Sequence, residues 1–185
     1  MIRHGQSESN AGHFHGGWAQ VNLTDKGRED AKKAGEKLKG IKFDRVYSSD
    51  LVRALQTREI ALPDAEPSVS ELLREIHVGE LSWKDVDDCK KLYGNTYTEA
   101  REKRDFTAFK GESTADQLKR TAEFLRSLES DPADTVAAFC HEGTMRCALT
   151  YVMGATELDK RLCDNGGVAI FEFSDDKWTL IQWNV

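Results

Sequence analysis

Cysteine is sparse in this chain. Cys89, Cys140, Cys147 and Cys163 form no close C-x-x-C pair and fall well short of the density of a disulfide scaffold. No signal peptide stands ahead of the first strand, so a reducing, cytoplasmic setting is expected. Long apolar runs are missing too. None approaches the ~18 residues that a membrane span requires, and no internal repeat or low-complexity tract interrupts the chain. Positive charge is in the minority: the net charge of −6 argues against a general nucleic-acid or membrane-binding surface and for a soluble protein. An acidic chain can nevertheless gather a few cations in one anion pocket. No P-loop or metal-phosphatase pattern is present. The one spacing that suggests a metal, His13 and His15 in H-x-H, lacks the carboxylates or further histidines a site requires and reads as an exposed loop pair. Neither a metal nor a cofactor is expected.

What is present is 185 residues, 39% hydrophobic and 31% charged, enough for a single domain over 1–185 with a substantial core. The chain starts Ile2-Arg3-His4-Gly5-Gln6-Ser7, a strand end that delivers a histidine to the carboxyl edge of a sheet, where open α/β folds place their crevice. Arg3 supplies a guanidinium fork suited to phosphate, and Gly5 lets the backbone come close to an anion. A loop follows from Asn10 to Asn22. Thr24 is the expected N-cap of a helix carrying Ala31, Ala34 and Leu38 on one face and ended by Gly40. The unit then repeats: a strand over 43–47, a turn at Ser48-Ser49-Asp50 and a helix over 51–60. That helix puts Arg53 in a first turn, where the macrodipole disfavours a cation unless an anion binds there. Glu71, Glu75 and Glu80 sit in a loop between apolar anchors, and one of them could serve as an acid.

Helical spacing returns over 86–93, followed by a polar stretch to Lys110, so that 83–110 is expected to form a variable lid. Ser113 caps an amphipathic helix through Leu118, Phe124, Leu125 and Leu128. A buried strand over 135–140 again ends in a histidine, His141, and leads into a helix with Met145, Leu149 and Val152. Residues 167–173 and 178–183 alternate as a closing antiparallel hairpin. The pattern gives an α/β fold, a three-layer α/β/α sandwich on a mostly parallel sheet with that hairpin at its end.

These residues resemble the histidine phosphatase superfamily, in its phosphoglycerate-mutase-like branch. The resemblance rests on Arg3-His4-Gly5 with Asn10, Gly17-Trp18 before Leu23-Thr24 and Gly27, and Tyr47-Ser48-Ser49-Asp50-Leu51 with Arg53-Ala54 and Gln56-Thr57. It continues through Leu73-Arg74-Glu75 and Gly111-Glu112-Ser113 to His141 and Gly143, nearly the whole chain. It implies that His4 is phosphorylated, that Arg3, Arg53 and His141 hold the phosphoryl oxygens, and that Glu75 is the proton donor. Asn10, Gly17 and the amide of Glu142 complete the implied substrate-binding set. Glu142 stands where a glycine is common, and its side chain is expected to point outward. The Gln6-Ser7-Glu8 sequence departs from the Arg-x-Pro of the phytase and acid-phosphatase branch.

Phosphoryl transfer needs an in-line nucleophile, positive ligands around the equatorial oxygens and a proton for the leaving alkoxide, and this set supplies each part without metal. A small phosphorylated metabolite is the expected partner. The short lid, and Val78 where the mutases carry tyrosine, favour a phosphatase over a phosphoglycerate mutase primed by a bisphosphorylated cofactor. A non-catalytic binding module would lack one of the positions, and none is missing. The lid sequence does not identify the substrate, and oligomeric state is not legible.

Overall fold

The computed structural model describes residues 1–185. Four short strands, β1 (Ile2–Arg3), β2 (Arg45–Ser48), β3 (Ser68–Val69) and β4 (Val136–Cys140), form one parallel sheet in the order β1-β4-β2-β3. The central strand is buried on both faces, which is why it reads Val-Ala-Ala-Phe-Cys without polar alternation. Ala137 and Phe139 pack with Ala34 and Leu38 of helix α2 (Asp25–Leu38) and Ala61 of helix α3 (Val52–Ala61). Ala138 and Cys140 face the other way, towards Phe124 and Leu125 of α5 (Thr114–Glu129) and Met145 and Ala148 of α6 (Glu142–Val152). This is the three-layer sandwich.

Register turns the fold into a site. Arg3 pairs with Cys140, and both Ile2 and Ser48 pair with Phe139, so β1 and β4 end level and β2 ends one residue earlier. His4 and His141 therefore leave the sheet side by side, with Ser49 one step behind them. Thr24 and Ser113 act as the expected caps, accepting from the amides of Gly27 at 3.1 Å and Asp116 at 3.2 Å. The sheet edge at β1 is covered by the approach to the hairpin β5 (Ala169–Ser174) and β6 (Lys177–Trp183), through an antiparallel Ile2–Val168 bridge. The hairpin turns on Asp175 and Asp176, both at positive φ (51° and 57°), as a two-residue I′ loop requires.

Several boundaries differ from the sequence reading. β2 starts at Arg45, and Phe43 packs instead against the α2/α3 side of the core. Leu51 is the N-cap residue of α3, with no side-chain cap. A four-residue helix, α1 (Glu8–Ala11), forms inside the first loop because Ser7 and Asn10 make a capping box. Residues 86–103 form one long helix, α4 (Val86–Lys103), bent at Gly94 (φ 54°, ψ −128°) and ended by Arg104 in the left-handed region. The polar stretch is thus helical well beyond residue 93. It has its own apolar cluster, in which Cys89, Tyr97 and Ala100 meet Ile76, Val78, Leu81, Phe106 and Phe109. No helix is long and apolar enough to cross a membrane.

Candidate active site

His4 is buried, and its ring is oriented by its own neighbour. Nδ1 lies 2.6 Å from the carbonyl oxygen of Gly5. A carbonyl only accepts, so Nδ1 carries the proton and Nε2 keeps its lone pair. Burial, then Arg53 and Arg3, push the imidazole pKa well below the usual histidine range, and His4 is neutral at pH 7. Arg53 Nε donates to Nε2 at 3.2 Å. The rest of that guanidinium is anchored, Nη1 to the Ala19 carbonyl at 3.0 Å and Nη2 to the Gly17 carbonyl at 2.8 Å. Burial lowers the Arg53 pKa to about 10, so it stays charged. Arg3 donates through Nη1 to the Cys163 carbonyl, while its Nε is buried without an acceptor.

His141 follows β4 as the N-cap residue of α6, its ring centroid 5.0 Å from that of His4. Nε2 contacts Ser49 Oγ at 2.9 Å, and Nδ1 is buried with no partner. Burial, Arg53 and His4 push its pKa well below normal as well. Arg53 and the half-buried Arg3, two neutral imidazoles and the unused N–H groups of Arg3 Nε and His141 Nδ1 gather as a donor set of the kind that suits an anion.

Glu75 completes the group from a separate loop. Oε1 accepts from the Ile76 amide at 2.8 Å and Gln117 Nε2 at 3.1 Å, and Oε2 accepts from the Gly143 amide at 3.1 Å. Burial raises its pKa, but Arg104, the two amides and Gln117 together outweigh it and lower it, so Glu75 is held as a carboxylate. The close approach to α6 explains Gly143: a Cβ there would lie 2.1 Å from Glu75 Oε1.

The remaining expected residues divide. Asn10 accepts through Oδ1 from the Ser7 amide and hydroxyl at 3.1 and 3.0 Å, leaving its NH₂ as the group able to meet an anion. Gly17, at φ 45°, presents its carbonyl to Arg53 and so positions the cation. The Glu142 amide is the first of α6 and has no intrahelical acceptor. Its carboxylate turns along the helix to Arg146 Nη1 at 3.3 Å rather than standing free in solvent. Gly5 has a different reason from the one the sequence suggested. The space of its Cβ is filled by the Gly27 carbonyl oxygen, 2.1 Å away, so it serves close packing onto α2. Of the H-x-H pair, His15 bonds Tyr97 Oη at 2.6 Å, and no group of three or more metal-ligating side chains is assembled.

Of the supporting residues, the sequence marked Trp18 and Glu112 only as parts of the resemblance, with no role, and left Arg120, Gln117 and Asn165 unmarked. Arg120 holds the chain around Glu75 by donating to the carbonyls of Leu72, Arg74 and Glu75 at 3.0, 2.6 and 2.9 Å, while Glu112 grips Arg120 and the His77 amide. This is the structural content of Gly111-Glu112-Ser113. Trp18 Nε1 also donates to the Glu75 carbonyl, at 2.7 Å. Asn165 Nδ2 reaches the His4 carbonyl at 3.1 Å. Only a helical position facing α6 marks Gln117, and no local signal marks Asn165.

Fold and site define an α/β protein that gathers Arg3, Arg53, His4 and His141 at the carboxyl edge of its parallel strands. The chain belongs to the histidine phosphatase superfamily (branch 1), whose model matches residues 1–185. A relative from Mesorhizobium japonicum, a 2,3-bisphosphoglycerate-dependent phosphoglycerate mutase, is 31% identical over 189 residues, covering 95% of this chain and 92% of that protein. Among solved structures, a putative alpha-ribazole-5'-P phosphatase from Escherichia coli matches with a TM-score of 0.89 at 23% identity, over 100% of this chain and 94% of that one. A mycobacterial glucosyl-3-phosphoglycerate phosphatase complexed with VO3 gives 0.87 at 23% identity, over 100% and 96%. These two share the fold.

Proposed function

We propose that the protein is a phosphatase that hydrolyses a small phosphomonoester through a phosphohistidine on His4. The observation that supports this most is the tautomer: Nδ1–H is bound to the Gly5 carbonyl, so Nε2 faces Arg53 as a neutral nucleophile. Nε2 attacks phosphorus and the bond from phosphorus to the alcohol oxygen breaks. Arg3, Arg53, the His141 ring, the Asn10 NH₂ and the Glu142 amide surround the equatorial oxygens. Glu75 gives its proton to the departing alkoxide. In the second half it takes a proton from water, whose oxygen attacks the phosphohistidine, releasing inorganic phosphate and restoring His4.

The ionised Glu75 suits the second half. For the first, a phosphoryl dianion arriving beside it disfavours another negative charge and promotes protonation. Residues 83–110 act as the substrate-selecting lid, and no cofactor enters the scheme. The mutase names carried by full-length relatives such as the Mesorhizobium protein keep a second reading in play, and one experiment separates the two. Phosphate release from small phosphomonoesters is measured beside a coupled isomerisation assay primed with 2,3-bisphosphoglycerate. Release outrunning isomerisation is expected, and dominant isomerisation replaces the phosphatase reading with the mutase one.

A further inference from the structure

Gln117 is fully buried near the start of α5, where packing alone gives no reason for a glutamine. Its side-chain carbonyl, Oε1, is buried without a donor, an arrangement that costs stability and that an apolar side chain of the same length would avoid. Further along, the same helix buries such residues: Ala122, Phe124 and Leu125. The other end of the amide is directed. Nε2 donates to Glu75 Oε1 at 3.1 Å and reaches Thr144 Oγ1 only at 3.5 Å, while the Thr144 hydroxyl is committed to the Arg74 carbonyl at 2.7 Å. Gly143 keeps the gap open, because a Cβ there would lie 2.1 Å from Glu75 Oε1 and 3.0 Å from Gln117 Nε2. Helix α6 thus gives up a side chain where α5 meets the carboxylate.

The two oxygens of Glu75 are loaded unequally. Oε1 takes the Ile76 amide at 2.8 Å as well as Gln117, with Arg104 Nη2 3.6 Å away, whereas Oε2 takes only the Gly143 amide at 3.1 Å. A proton settles on the oxygen with fewer donors, since an N–H aimed at a protonated oxygen loses much of its bond. Resting on the phosphatase reading, we infer that Gln117 is a positioning residue for Glu75: it occupies Oε1 and so leaves Oε2 as the oxygen that exchanges the proton. In the first half the O–H bond at Oε2 breaks as the bond from phosphorus to the alcohol oxygen does, and the alcohol departs neutral. In the second, a proton of water passes to Oε2 as the water oxygen bonds phosphorus. Gln117 keeps its own protons throughout. The charged and titratable groups that face Glu75 come from every element around it: Arg53 on α3, Arg104 after α4, Arg120 on α5, Arg146 and Cys147 on α6, and Cys140 on β4. Burial pushes both thiols up to about 12, so they stay neutral.

The test reads Glu75 directly. Its carbon-13-labelled carboxyl, assigned with Glu75→Gln, is titrated by NMR in the wild type and in Gln117→Met, which keeps the length of the side chain without a donor. Losing one N–H from the ionised form should raise the midpoint by ~1 pH unit. The falling limb of kcat/KM for an alkyl phosphate should move up by the same amount. The groups named above, the two histidines and the ionisation of the substrate are common to both proteins and cancel in the difference. Gln117→Asn, whose amide is one methylene short of Oε1, should shift titration and limb alike. Since Gln117→Met also removes an unpaired carbonyl, it should melt no lower than the wild type, the opposite of what a side chain kept for packing would show. An unmoved titration, an unmoved limb, or a Gln117→Met protein that fails to fold overturns the inference. A raised midpoint beside absent phosphate release leaves the hold of Gln117 on Glu75 intact and sinks the phosphatase reading. Phosphate release beside an unmoved midpoint sinks only the role of Gln117.

Discussion

Around His4 the functional groups are set by backbone. Arg3 and His4, Ser48 and Ser49, Cys140 and His141 follow one another off strands whose ends lie within one residue of level, and Arg53 is pinned by the carbonyls of Gly17 and Ala19. Around Arg104 the order comes from side chains that reach inward from α4, α6 and the loop at 75–78, with two guanidinium nitrogens left open. The first region can be altered hardly at all without losing its geometry. The second can be re-cut by changing single side chains. On the proposed reading, chemistry belongs to the sheet edge and selectivity to the helix that overhangs it.

The contrast breaks most visibly at His4. His4→Ala should lower kcat by ~10⁴-fold or more, the scale of losing a nucleophile, and acid-labile, alkali-stable phosphohistidine should vanish from quenched reactions. A variant that still turns over through a phosphohistidine would move the nucleophile elsewhere. Next comes Arg53→Lys, which keeps the charge but cannot reproduce three contacts from Nε, Nη1 and Nη2. A loss of ~10²- to 10³-fold in kcat/KM is expected, equal for all esters, whereas a change at Arg104 should reorder them. Substrate-dependent damage from Arg53→Lys would blur the division. Third is Glu75→Gln, which should cost ~10²-fold on an alkyl phosphate and nearly spare an activated aryl phosphate. Equal slowing of both would show that Glu75 does not protonate the leaving group.

The smallest effect is in stability. His4 and His141 are both held neutral, with pKa values lowered well below 6.5 by burial and then Arg53. Below about pH 6.5 the unfolded chain takes up protons that the folded one refuses. Stability is therefore fully present above that pH and falls as pH drops towards the folded values, by ~1.4 kcal/mol per pH unit for each histidine. Urea midpoints at pH 7 and pH 5.5 measure the slope. His15, lowered to about 4 by burial and then Arg101, is a third such group, so His141→Asn should remove about a third of the slope, and inorganic phosphate should flatten it by favouring protonated rings of His4 and His141. A slope indifferent to both would remove the histidines as its cause.

What was legible follows the same division. β4 and the two histidine-delivering strand ends could be read because a strand buried on both faces leaves a continuous apolar run followed by a polar stop. The helices α2 and α5 announced themselves through Thr24 and Ser113 and their apolar spacing. β3 could not be read: Ser68 and Val69 are both exposed, so no alternation marks them. The continuation of α4 past Gly94 was hidden by mixed charge on its exposed face, since its buried residues in that half are only Tyr97 and Ala100. Arg104, Gln117 and the Glu112–Arg120 grip act through contacts between distant elements, and spacing along one element cannot encode such a meeting. The resemblance to the family pointed at Glu112 without saying what it holds.

The bridge between β1 and the run into the hairpin also sets when the site can exist. Arg3 N–H bonds to the Gly167 carbonyl, Ala169 N–H to Met1, and the His4 carbonyl receives both Gly166 N–H and Asn165. These contacts close loops of more than 160 residues, among the most costly to close in chain entropy and the last to be rewarded during folding. A nascent chain can form β2, α3 and even β4 while its opening segment is still loose. The site therefore assembles late, with residues 163–169, and a chain halted before them would carry Arg3 and His4 without the contacts that fix their strand.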